Sequence, residues 1–262
     1  MCASESCPDK KIRSQGVLDM KKLTALLFAF ALIISFLSPL STQAQSPDPG
    51  PNPFIKQVPE LLKNYGLTLE QFQELKNKPS DQYDDKEVEI IKNIREQVPG
   101  INQDTQLVKV LTVEDAYKFY KNKQGPTIRG FIAKFDDIGY VSGYDYMRET
   151  LRLDYSYEKE GKKVEPFPAG GTQYAKIVFK TQNAGDIGIP FNARFGGKET
   201  GDYPFTGNGF TGARNNTLTP EFKIGSQVKP TSGDIYINDN GKDIQVATYD
   251  PDTDQFIFNE AK

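Results

Sequence analysis

Histidine and tryptophan are absent from this 262-residue sequence, and cysteine occurs only twice, as Cys2 and Cys7. Without histidine there is no His–carboxylate zinc site, no Ser–His or Cys–His couple and no imidazole general base. An excess of charge of one sign is also missing. The 32 Lys and Arg face 35 Asp and Glu, for a formal charge of −3. No broad cationic face for nucleic acid or acidic membranes is implied, and no nucleic-acid partner is expected. With 37% apolar and 26% charged residues, the chain is neither wholly disordered, collagen-like nor a polytopic membrane protein. Chemistry is left to Glu, Asp, Arg, Lys, Tyr and hydroxyl groups.

The N-terminus reads as export machinery. Lys21 and Lys22 precede an apolar run from Leu23 to Leu37, and Thr42-Gln43-Ala44 follows Pro39. A positive region, an apolar stretch and a small-residue site make a secretory signal peptide over residues 20–44, with cleavage after Ala44. The run falls short of the ~20 residues that span a bilayer, so no stable membrane anchor is expected after cleavage. Residues 1–19 are polar and unlike a signal. Gln15-Gly16-Val17 can be encoded by a purine-rich ribosome-binding sequence, so translation is expected to begin at Met20, with 1–19 an untranslated leader. Both cysteines would then be lost, and the exported chain would carry a charge of −5 and no disulfide.

Alternating prolines make residues 45–53 an extended linker. Residues 54–124 read as a helical lobe. Val58, Leu61, Leu62 and Tyr65 form one apolar stripe, stopped at Gly66. Thr68 with Gln71 is a capping-box pattern opening a short helix that Pro79 ends. Val88, Ile91 and Ile94 stripe a third helix, and Thr112 caps a fourth. Near Gly125-Pro126 the period becomes alternating, and residues 125–262 read as a β-rich domain. Strands are expected at Ile128–Ile132, from Leu151 to Tyr157, over 174–180, around Ile187–Phe191 and at Phe222–Ile224. A meander of three strands follows, with turns at 238–241 and 250–254. Helices first and an antiparallel sheet second give an α+β fold, with an N-terminal helical lobe followed by a mostly antiparallel twisted sheet or sandwich.

Three features could carry chemistry. The stretch from Tyr203 to Arg214 combines three glycines, two threonines and the aromatics Phe205 and Phe210, offering close backbone approach and flat stacking faces. It lacks the Gly-Lys-Ser/Thr end of a phosphate loop. Arg129, mid-strand beside Gly130, needs an anion or carboxylate if buried. Glu221 opens a strand just after the glycine-rich stretch and is the candidate acid, base or electrostatic stabiliser. Asp250, Asp252 and Asp254 have calcium-like spacing but lack the following Gly and closing Glu, so a hairpin turn and no metal are expected.

Taken in order, N-terminal helices, an Arg-Gly on the first strand, a turn-rich aromatic loop and a Glu opening a strand resemble the mono-ADP-ribosyltransferase toxins. The resemblance covers residues 56–235. It implies that Arg129 grips a phosphate of nicotinamide adenine dinucleotide (NAD), with Gly130, Thr172, Phe205 and Phe210 shaping its pocket. Thr206, Asn208, Thr211, Arg214 and Thr219 would belong to the loop that selects a target. Glu221 would steady the ribose cation as nicotinamide leaves. Two departures stand out. Gly171-Thr172-Gln173 replaces the family's Ser-Thr-Ser, and Thr219 replaces the Glu or Gln two residues before the catalytic Glu. The second departure favours NAD hydrolysis, or no catalysis, over modification of a protein.

The expectation is therefore a secreted, extracellular bacterial effector, using NAD as substrate and acting on a host or competitor protein or on NAD alone. The alternative is a non-catalytic secreted module whose sheet and aromatic loop contact a protein or glycan.

Overall fold

The structure is a computed structural model that describes residues 53–121, 126–201 and 204–259. The expected leader, signal peptide, both cysteines and the linker before Pro53 lie outside the described residues. Among the described residues, no helix is long and apolar enough to cross a membrane.

Three helices come first: α1 (Pro53–Lys63), α2 (Leu69–Lys76) and α3 (Asp85–Arg95). Gly66, at φ +68°, ends the first turn region after α1. Thr68 and Gln71 form the reciprocal capping box of α2, and Asp84 with Glu87 forms another on α3. The apolar faces meet as Phe54, Val58, Leu62, Phe72, Leu75, Ile91 and Ile94 in one buried cluster. The strand β1 (Leu107–Leu111) follows, then α4 (Val113–Lys121), where Thr112 Oγ1 accepts from the Asp115 N–H.

Then come β2 (Ile128–Lys134), the short helices α5 (Phe135–Ile138) and α6 (Tyr144–Thr150), and a small hairpin of β3 (Tyr157–Lys159) and β4 (Lys162–Val164). The remaining strands are β5 (Gln173–Lys180), β6 (Ile187–Gly188), β7 (Phe222–Val228), β8 (Ser232–Asp239), β9 (Lys242–Asp250) and β10 (Gln255–Phe258). Eight strands make one sheet in the order β10-β9-β8-β5-β1-β2-β7-β6, and each neighbouring pair is antiparallel. This is the α+β arrangement, built on a sheet rather than a sandwich.

Helices cover both faces of that sheet, which explains why β1 and β5 are apolar on both sides. On one face, Leu107, Ile132, Ile177, Phe179 and Phe222 pack with Ala116 and Tyr120 of α4. On the other, Val108, Val110, Ala133, Tyr174 and Val178 pack with Phe135 and Ile138 of α5 and Tyr144 and Met147 of α6.

Three expectations are corrected. The segment taken as wholly helical contains β1, a central strand, because five residues of Leu-Val-Lys-Val-Leu are too short to show a period. Residues 151–156 are not a strand but an irregular segment after α6, with Arg152 at φ +51°. Only residues 187–188 of the expected 187–191 strand pair in the sheet. The 238–241 and 250–254 segments do turn two hairpins. In the second, Asp250 accepts from the Asp252 N–H and the Thr253 hydroxyl, and Asp254 pairs with Lys229, so these carboxylates are committed to the turn.

Candidate functional site

The glycine-rich stretch is folded inward rather than displayed. Phe210 is fully buried, stacked 6.5 Å from Phe54 and edge-on to Phe72 at 5.8 Å. It completes the helical core and has no face left for a ligand. Gly209 sits at φ +99°, where a Cβ would come 2.5 Å from Arg95 Cδ. Asn208 donates from Nδ2 to Lys76 O at 2.7 Å and to the Tyr83 hydroxyl at 3.1 Å. Thr206 Oγ1 donates to Phe210 O, and Thr211 Oγ1 donates to Thr150 O. Arg214 is exposed but holds Glu149 at 2.6 Å. Thr219 is fully buried, and its Oγ1 has no partner among the described residues. The expected target loop is thus a buried tie between sheet and helices. Glycine reads as a surface turn in sequence; here it permits a reversal through a crowded interior.

Lys76 anchors that tie. Its ammonium donates to Thr211 O at 2.9 Å, to Ala213 O at 3.0 Å and to Asn77 Oδ1 at 3.0 Å. Burial pulls its pKa down to about 7, with the nearby Arg152 charge acting in the same direction.

A cleft of about 550 Å³ opens between the sheet, residues 151–156 and the ends of the glycine-rich stretch. Its floor is Val108, Val110 and Ala133. Phe205 lies in its wall, tilted against Phe131 with centroids 5.8 Å apart. Phe131 and Tyr155, 43% and 38% exposed, add aromatic surface. Arg152, buried in the wall, holds Asp154 bidentately at 3.0 and 2.9 Å and donates to Gly212 O at 2.7 Å.

Glu221 lines this cleft where β7 begins. Its N–H donates to Gly209 O at 3.0 Å, so the buried tie positions it. The residue is half-buried, but Oε2 is shut off from solvent with no hydrogen-bond partner among the described residues. Burial raises its pKa to about 8 against the opposing charge of Lys223. Glu221 therefore keeps its proton at neutral pH and can donate a hydrogen bond. Lys223 is paired with Glu199 at 2.5 Å at the same cleft.

Arg129 is not there. It is exposed and lines a neighbouring hollow with Gly130, Asp115, Lys118 and Gln227. Phe222 pairs with Ile132, which brings Glu221 level with Ala133, so Arg129 stands four strand residues, or ~13 Å, farther along β2. Thr172 is exposed ahead of β5 and lines neither hollow. The structure thus brings Glu221, Phe205 and Thr211 to one cleft, and leaves Arg129 with Gly130, Thr172 and Phe210 elsewhere.

Sequence reasoning missed Lys109 and Arg152. Lys109 lines both hollows, and its ammonium donates to Phe131 O at 2.9 Å. Burial and the Arg129 charge bring its pKa down to about 8. The signal was a lone lysine inside an apolar run. For Arg152 it was an Arg-x-Asp pair. Among the described residues, no cluster of carboxylates suits a metal ion. No protein-family model, curated protein or solved structure matches the chain.

Proposed function

We propose that this chain is a secreted, non-catalytic module whose Glu221 cleft binds a neutral, hydroxyl-rich ring of a glycan. The carrying observation is that the Glu221 carboxyl, its pKa raised by burial, lines a cleft walled by Phe205, Phe131 and Tyr155. A neutral carboxyl both donates to and accepts from ligand hydroxyls, and aromatic faces cover the apolar side of a sugar ring. Export rests on the Leu23–Leu37 run and the small-residue site after it. Calorimetric titration with neutral oligosaccharides tests binding. Mass spectrometry of culture supernatant should find an N-terminus near Gln45; recovery of secreted protein containing Cys2 would overturn the export assignment.

NAD hydrolysis is the second reading, supported by Phe205 and Glu221 sharing one cleft. Two features weigh against it. A protonated Glu221 does not stabilise a ribose cation electrostatically, and Arg129 lines a different hollow. Nicotinamide release by the wild type would favour this reading over the glycan.

A further inference from the structure

We propose that Lys109 and Arg129 form an oxyanion subsite beside the Glu221 cleft, so that the preferred ligand is a sugar bearing a carboxylate or phosphate group. This rests on the glycan reading of the cleft.

Arg129 lacks a counter-charge among the described residues, and the one carboxylate that favours the Lys109 charge, Asp115, is already held by Lys118. Among the described residues, Arg129 makes no hydrogen bond or ion pair, and Lys109 bonds only to Phe131 O. The other charged groups of the hollow are committed. Lys118 holds Asp115 at 2.6 Å, Asp115 also accepts from Thr112, and Lys223 holds Glu199. Lys109 and Arg129 are close enough for Arg129 to disfavour the lysine charge. Gly130 lines the same hollow beside the Lys109 ammonium. It breaks the β2–β7 register at φ +78°, and a Cβ there would lie 3.5 Å from Lys109 Nζ. An oxyanion seated against both groups would relieve their repulsion and accept charge-assisted hydrogen bonds. Lys109 faces both hollows, so one ligand can place its ring by Glu221 and its anion by Lys109.

Calorimetry compares a neutral oligosaccharide, its uronic-acid counterpart and its phosphate ester, using wild type, Lys109→Met and Arg129→Gln. An acidic ligand should bind the wild type at least about tenfold more tightly than the neutral one. That preference should fall in both variants and in high salt, while in Arg129→Gln, which lies outside the Glu221 cleft, neutral-ligand affinity stays. The uronic and phosphate arms identify which anion is preferred. Arg129 is exposed, so Arg129→Gln keeps the test valid should Lys109→Met fail to fold. Equal binding of acidic and neutral ligands would overturn the subsite and leave the glycan reading standing. Inorganic phosphate supplies the converse: it should raise the Lys109 pKa, followed by NMR. A Lys109 titration unmoved by phosphate would overturn the subsite whatever the sugars do. A phosphate response with no binding of any sugar would support the subsite and overturn the glycan reading.

Discussion

The Lys76 ammonium lies 2.9 Å from the carbonyl oxygen of Thr211, 135 residues later in the chain, and both residues are buried. With Ala213 O and Asn77 Oδ1 this gives every ammonium proton an acceptor. Lys76→Met keeps the side chain's length but strands the buried Thr211 carbonyl, while Ala213 O keeps its bond from Asn77 Nδ2, a loss of about 2 kcal/mol. Urea denaturation should show it; a change below about 1 kcal/mol would mean the tie is not held by Lys76.

Two phenylalanines of one segment should separate stability from binding. Phe210→Ala empties a site between Phe54 and Phe72 and should destabilise the fold by about 3–5 kcal/mol. Phe205→Ala trims a partly exposed cleft wall and should shift stability by no more than about 1 kcal/mol while weakening glycan binding. Equal stability losses would contradict the inward fold of the segment.

Stability should depend on pH in two opposite windows. Burial raises Glu221 to about 8 and Asp137 to about 7. The folded chain therefore binds more protons than the unfolded chain from about pH 4.5 upward, and stability falls as pH rises toward 8. Burial lowers Lys76 to about 7 and Lys109 to about 8. There the unfolded chain binds more protons, so stability recovers between about pH 8 and 10. Melting curves should show a shallow minimum at roughly pH 7–8. Glu221→Gln should flatten the acid-side slope; an unchanged slope would remove Glu221 as its source.

Glu221→Gln also distinguishes the two functional readings. Glutamine preserves a donor and an acceptor, so glycan affinity near pH 6 should change by less than about threefold. Wild-type affinity should fall above pH 8, whereas the variant's should not. A loss of ~10²–10³ in nicotinamide release would instead support catalysis.

The residues that follow local rules were legible. Thr68 and Gln71 announced a helix start, Gly66 a stop, and residues 238–241 and 250–254 two turns, because each depends on neighbours a few positions away. Glu221 was legible as a strand-opening acid. What failed depended on distant partners. Leu151, Leu153 and Tyr155 alternate with polar residues as a strand does, but Arg152 is fixed by Asp154 and by Gly212, sixty residues away. Phe210 and Phe205 have like neighbours in sequence, yet only the helical core decides which is buried. The resemblance gave Arg129 and Glu221 to one site, and strand register sets them apart.

The helical core closes on Phe195, Phe210 and Leu218, which belong to the far half of the sequence. A chain emerging N-terminus first therefore carries three helices with uncovered apolar faces until that half has followed. They have no complete partner surface to fold against alone. Completion of the helical core therefore waits on residues of the last third of the chain.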